Sequence, residues 1–168
     1  NVFIHNMDCK VELGDTMGSP SFIEKNSLKK FDVVLANPMW NQDIDTSYYQ
    51  NDRYNRFKYG FPTASNADLG WVQHMIASTK DNGQIAVILD TGVATRGSSG
   101  DDKSAELIIR KNILKDDLIK SVILLPENLF YNTANAGLII LLEKNKKHKN
   151  EVMMIDLSKD YKRNRPKN

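Results

Sequence analysis

An α/β fold with a mostly parallel sheet and one reversed strand near its edge is predicted by three features of this 168-residue sequence. Apolar runs of strand length alternate with amphipathic stretches of helical period. The run "FDVVLAN" (Phe31 to Asn37) is apolar on consecutive rather than alternate positions, the pattern of a strand buried on both faces. The last two strong strands, "IKSVILLP" and "AGLIILLEK", are joined by only about ten residues with no convincing helix, which is short for a parallel crossover and suits an antiparallel pair.

Taken in order, "NVFIHNMDC" opens apolar at Val2, Phe3 and Ile4 without a cap and reads as the tail of a helix. "VELGD" (Val11 to Asp15) is a short strand candidate ending at a Gly–Asp turn, and "SPSFIEKNSLKK" is a loop. After Phe31 to Asn37 comes a long polar and aromatic segment, Gln42 to Ser65, without a clean period; loops of that length bind something or form a lid. Asn66 or Asp68 caps a helix carrying Leu69, Val72, Met75 and Ile76, with Asn82–Gly83 as its end. Gln84 to Asp90 is a buried strand, and a glycine- and serine-rich loop follows. A helix from about Ser104 to Leu114 presents Leu107, Ile108 and Leu114 on one side. The two strong strands, the strand "EVMMIDLS" and a basic tail over residues 159–168 complete the chain.

With 40% hydrophobic and 26% charged residues, the composition is that of one ordinary globular domain. A net charge of +2 is too mild to identify a nucleic-acid partner. The single Cys9 forms no internal disulfide and has no indicated base to activate it, no Cys/His spacing suggests zinc, and no long apolar span occurs. A soluble, cytoplasmic protein without membrane contact is the expectation.

Ligands of open α/β sheets sit beyond the carboxyl ends of the strands, where Asn37 stands. The side-chain oxygen of Asn37 and the carbonyl of the Asn–Pro unit are two acceptors, and Pro38 fixes φ and holds them in one arrangement. Two acceptors converging on a planar amino group bind both its hydrogens and localise its lone pair on nitrogen. Trp40 offers a flat face for a ring, a contact worth about 1–3 kcal/mol per base. Asn–Pro also makes plain turns; the strand before it and Trp40 after it favour a site for group transfer to an exocyclic amino nitrogen.

"LGDT", "VVLANPMW", "RFKYGFPTASNADLGWVQHM", "GQIAVILDTGVATRG", "LPENLFYNTANAGLIILLEKNKKHK" and "MIDLSKDY" together resemble, in order and over nearly the whole chain, the modification (M) subunit of type I restriction-modification systems, the N6-adenine DNA methyltransferases. The resemblance implies a Rossmann-like, S-adenosyl-L-methionine-dependent methyltransferase fold, with residues 1–158 the C-terminal part of the catalytic domain. It makes Asn37 and Pro38 the acceptors for the target adenine amino group and Trp40 its stacking partner. Asp15 is to accept from the adenine amino group of the cofactor, with Thr16 and Met17 beside that base. Phe130 covers the other face of the flipped base, with Tyr131 as second choice. Duplex DNA, a specificity subunit and, further, a restriction subunit are the implied partners. Gln73 and His74 match the family but read as packing residues; Arg96 reads equally as a phosphate contact or a solvated arginine, and "KNKKHK" as a solvated turn.

Met39 stands where the family has a second proline, and "ANA" (Ala134 to Ala136) where it has Gly-Ile-Pro. The family's glycine-rich cofactor loop and its first strands do not occur in the sequence, so a fragment that by itself binds the cofactor weakly or not at all is expected, with no direct ladder partners on one side of "VELGD" and "FDVVLAN". Two alternatives are an N-methyltransferase acting on RNA or on protein glutamine, and a methyltransferase-like module that binds nucleic acid or a subunit without chemistry.

Overall fold

The computed structural model describes residue 5 and residues 7–97, 104–131 and 133–162; the helix tail expected at Val2 to Ile4 lies outside them. A small antiparallel ribbon, β1 (Ile23–Glu24) and β2 (Ser27–Leu28), precedes the main sheet. The main sheet contains β3 (Phe31–Ala36), β4 (Thr79–Asp90), β5 (Ile119–Leu124), β6 (Gly137–Glu143) and β7 (Met153–Asp156). Its order is β3-β4-β6-β5-β7. β3 with β4 and β5 with β7 are parallel, and β6 runs antiparallel to both β4 and β5. The expected antiparallel pair is therefore present, with β5 and then β7 outside the reversed strand. Among the described residues β3 is laddered on its β4 side only.

Four helices complete the described chain: α1 (Ser47–Gln50), α2 (Asp68–Ala77), α3 (Gly92–Thr95) and α4 (Ala105–Lys115). Register places Val34, Ile85 and Leu142 in one row across the sheet and Ala36, Val87, Ile140 and Val122 in the next. Leu69, Val72, Met75 and Ile76 of α2 and Ile109 and Ile113 of α4 pack on that face. Each such side chain contributes about 1.5–3 kcal/mol when fully buried. On the opposite face Val33 and Leu35 are exposed.

Local expectations differ from the structure in several places. Val11 to Asp15 is not a strand: Val11 and Leu13 are exposed and have no ladder partner among the described residues. The residue before α2 is Ala67, and Asn66 acts from one position earlier, its Oδ1 accepting from the Asp68 amide at 3.1 Å. The helix ends at Ala77, where Thr79 Oγ1 donates to the Met75 carbonyl at 2.6 Å. Asn82–Gly83 instead lies inside β4, at the register shift between Phe31 and Val33. A Cβ on Gly83 would stand 2.4 Å from Thr79 Cγ2 and 2.8 Å from the Asp32 carbonyl, so the glycine serves a strand irregularity rather than a helix end. In α4 the buried positions are Glu106, Ile109 and Ile113, while Ile108 and Leu114 face solvent, because spacings of three and four set the buried stripe.

The long aromatic segment is packed rather than lid-like. Tyr49 and Phe57 meet edge to face at 4.6 Å and form a second core with Met17, flanked by Ile44 and Trp71.

Candidate functional site

The carboxyl ends of β3, β4 and β5 and the first residue of β6 share one edge of the sheet, since Ala36 pairs with Val87, Asp90 with Gly137 and Leu124 with Leu138. β3 stops at Ala36 because Pro38 lacks an amide hydrogen and restricts the residue before it. Asn37 is exposed there, and its side chain makes no hydrogen bond among the described residues. It lines a cleft of about 820 Å³ running along the free side of β3. Thr16, Phe31, Pro38, Met39, Trp71 and His74 are among the other walls. That volume lies within the range of small-molecule sites.

The segment after Asn37–Pro38 is held from behind. Asn41 takes a left-handed backbone (φ 52°) that turns the chain, a conformation asparagine tolerates. Its amide donates to Asp68 Oδ1 at 3.1 Å, and its Oδ1 accepts from Asn66 Nδ2 at 2.8 Å. Arg96 closes this network. It donates to Asp68 Oδ2 at 2.6 Å, Asn66 Oδ1 at 3.0 Å, Asn41 Oδ1 at 3.1 Å and both Glu106 oxygens at 3.1 Å, and lies 3.5 Å from Asp90. The side chain of Asp68 is 0% exposed. Arg96 is thus neither a solvated arginine nor a free phosphate contact: its donors are used on the protein. Lys146 of the basic run is likewise buried, bonded to the carbonyls of Ile119 and Glu151 and paired with Asp117.

The aromatic pair departs from expectation. Trp40 Nε1 donates to the Ile88 carbonyl at 3.1 Å, and its ring meets Phe130 edge to face, with centroids 5.0 Å apart and planes at 77°. A base sandwiched between parallel rings needs about 7 Å, two contacts of about 3.5 Å, so Trp40 and Phe130 do not flank a base slot here. Gly137 permits the closure, since a Cβ there would lie 2.9 Å from Phe130 and 3.2 Å from Trp40. Tyr131 is fully exposed at the loop tip.

Asp15 closes a turn with its own side chain. Oδ1 accepts from the Met17 amide at 3.0 Å and the Gly18 amide at 3.1 Å. The Gly18 amide above all, then the Tyr48 hydroxyl and the Met17 amide, hold its carboxyl below the usual carboxylate range. Thr16 reaches the cleft wall, whereas the Met17 side chain is 1% exposed in the second core. A ligand in the cleft therefore does not touch the Met17 side chain, contrary to the sequence expectation; Tyr49 and Phe57 cover it.

Sequence reasoning did not single out Arg56 or Trp71, and it treated His74 as packing. Trp71 lines the cleft, and its buried Nε1 has no hydrogen-bond partner among the described residues. His74 Nδ1 lies 3.3 Å from Arg56 Nη1. Because a guanidinium only donates, Nδ1 accepts and the ring carries its proton on Nε2, 3.5 Å from Ser78 Oγ. Burial, and secondarily Arg56, bring the His74 pKa down to about 4, so the ring is neutral at neutral pH.

The sequence matches the N-6 DNA methylase family over residues 1–168. It is 38% identical over 173 residues to the type I restriction enzyme MjaVIII methylase subunit of Methanocaldococcus jannaschii, a match covering 96% of this chain and 28% of that protein. The HindI methylase subunit of Haemophilus influenzae is 36% identical over 144 residues, covering 84% of this chain and 30% of its own length. The type I restriction-modification methyltransferase subunit of Streptococcus thermophilus superposes with a TM-score of 0.84 at 29% identity, over 98% of this chain and 34% of that one. The chain thus spans less than a third of the length of these curated relatives. Its sheet has the Rossmann-like arrangement of the Streptococcus thermophilus methyltransferase subunit. A family match over residues 1–168, together with 38% identity to the MjaVIII methylase subunit over 96% of the chain, places the chain in the N-6 DNA methylase family.

Proposed function

We propose that this chain is the part of an adenine-N6 DNA methyltransferase, the modification subunit of a type I restriction-modification system, that holds the target adenine. The observation that carries this reading is the unengaged Asn37 amide, exposed on the cleft directly after β3. Paired adenine hides its amino group, so the base leaves the duplex at a cost of a few kcal/mol, offset by contacts in the site. Asn37 Oδ1 and the backbone carbonyl beside it accept the two amino hydrogens. The lone pair is thereby drawn out of the ring and onto nitrogen, and the work of the protein is positioning and electrostatics. No carboxylate or histidine base is required of the chain. The neutral His74 on the cleft wall is not needed for the attack, and the extra hydrogen on the methylated nitrogen leaves afterwards as a proton to water.

A base that stacks on Trp40 displaces the edge of Phe130. The cleft walls fit a nucleoside: Thr16 supplies a hydroxyl at one end, next to the Asp15 turn, and Phe31 and Trp71 supply apolar surface. S-adenosylmethionine, when bound, supplies an electrophilic methyl group. Asp15, fixed in ionised form by its turn, is the acceptor for the amino group of the cofactor's base. Duplex DNA and a specificity subunit are the partners, with a restriction subunit joining the larger assembly.

The test is transfer of labelled methyl groups to adenine-containing duplex DNA by the full-length protein with its specificity subunit. Asn37→Ala is expected to abolish turnover, with cofactor affinity kept within about threefold. Near-normal turnover in Asn37→Ala removes the assignment.

A further inference from the structure

We infer that Arg56 is the positioning residue for the Asp15–Gly18 turn: it grips, from the far side, the same two peptide units that Asp15 holds from the near side. The inference rests on the reading of the cleft as a cofactor site and adds a residue to it. Arg56 comes from the long aromatic segment and is 2% exposed at its side chain; Asp52, its partner, is 4% exposed. Nε donates to Asp52 Oδ1 at 2.7 Å, and the Arg56 amide donates to Asp52 Oδ2 at 2.6 Å. The guanidinium lies 5.0 Å from the Phe57 ring centroid and 5.8 Å from that of Tyr54. A buried cation so placed is tolerable only when paired and hydrogen-bonded.

The remaining donors are spent on the turn. Nη1 donates to the Thr16 carbonyl at 3.2 Å and Nη2 to the Met17 carbonyl at 2.7 Å. Each peptide unit is planar and trans, so a carbonyl and the following amide point in opposite directions within one rigid plate. The amide paired with the Thr16 carbonyl is that of Met17, and the amide paired with the Met17 carbonyl is that of Gly18. Both amides donate to Asp15 Oδ1. Two consecutive peptide plates are therefore fixed at both ends, carbonyls on the guanidinium and amides on the carboxylate. Their dipoles lie in the sense that links the two charges, and Arg56 is among the influences that keep Asp15 ionised.

The fourth contact of the guanidinium, His74 Nδ1 at 3.3 Å, ties the clamp to α2 and the cleft wall. Arg56 does not line the cleft. Its effect passes through the orientation and charge of Asp15 and the placement of Thr16. A lysine keeps the charge but presents no planar fork to two adjacent carbonyls.

The experiment uses the full-length protein and compares wild type, Arg56→Gln and Arg56→Lys. Amide hydrogen exchange at Met17 and Gly18 is expected to rise at least about tenfold in Arg56→Gln, with β4 and β6 amides unchanged. Calorimetric affinity for S-adenosylmethionine is expected to fall at least about tenfold in Arg56→Gln and by an intermediate factor in Arg56→Lys. With kcat at saturating cofactor and KM for DNA within about threefold, the loss is one of cofactor binding. Unchanged exchange in Arg56→Gln overturns the clamp, whether or not ligand binds. If Arg56→Gln does not fold, Arg56→Lys decides: cofactor affinity and exchange equal to wild type overturn the inference. Wild-type protein that binds no S-adenosylmethionine while the exchange effect is present overturns the cofactor reading and leaves the clamp standing.

Discussion

Lowering the pH should destabilise the protein through His74, and the size of the effect follows from its surroundings. The ring is half-buried against Arg56 and Ser78, and its pKa falls from 6.5 to about 4. At about 1.36 kcal/mol per pH unit, the difference is worth roughly 3 kcal/mol. The folded-state value lies below the unfolded one, so between them the unfolded chain binds the extra proton and stability falls with pH. The contribution is intact above the unfolded value of 6.5. About 2 kcal/mol of it is gone by about pH 5, and nearly all of it by about pH 4. Protonation also places a cation against a buried guanidinium that has no acceptor to offer it. Denaturant unfolding across this range, for wild type and for His74→Gln, isolates the histidine, because carboxylate effects common to both proteins cancel in the difference. The wild-type curve should be steeper by roughly 2 kcal/mol between about pH 7 and about pH 5. A His74 ring that titrates above about pH 6 by NMR, or the same slope in both proteins, refutes the reasoning.

Two further perturbations test the packing around the site. In Gly137→Ala the new methyl would meet Phe130 at 2.9 Å and Trp40 at 3.2 Å; the substitution should part the two rings, cost about 1–3 kcal/mol and shift the tryptophan emission. An unfolding free energy within about 0.5 kcal/mol of wild type, with unchanged emission, would show that the contact closes without strain. Arg96→Met leaves Asp68, at 0% side-chain exposure, without its cation and should cost about 3–5 kcal/mol. In a double-mutant cycle, Arg96→Met with Asp68→Asn should show a coupling of at least about 1 kcal/mol, and additive effects would deny the pair its role.

Legibility in the sequence divides by range. The unbroken apolar runs at Val33 to Ala36 and Gln84 to Asp90 and the short link between β5 and β6 led to the observed strands and to the reversed pairing. Asn37 was legible because an apolar strand, an asparagine and a proline are neighbours in the chain, although β3 is not buried on both faces as its unbroken apolar run predicted. Helix and strand limits were less so. Asn82–Gly83 reads locally as a helix stop, yet it serves a strand irregularity that exists only because β3 lies alongside. Val11 to Asp15 has a strand's composition without a ladder partner among the described residues.

By itself the sequence determined the α/β class, the strand that carries Asn37 and the family, since periodicity and motif order are properties of contiguous residues. Tertiary structure decided which side chains are free to act. Arg96 and Arg56 look alike in sequence as exposed cations, and only the convergence of distant segments makes one a lock behind Asn41 and the other a clamp on Thr16 and Met17. The same convergence closes Trp40 against Phe130 and buries Met17. Hydrogen bonds and ring contacts between segments some 40 to 90 residues apart leave no local periodic trace, because their energy depends on where the chain has already folded.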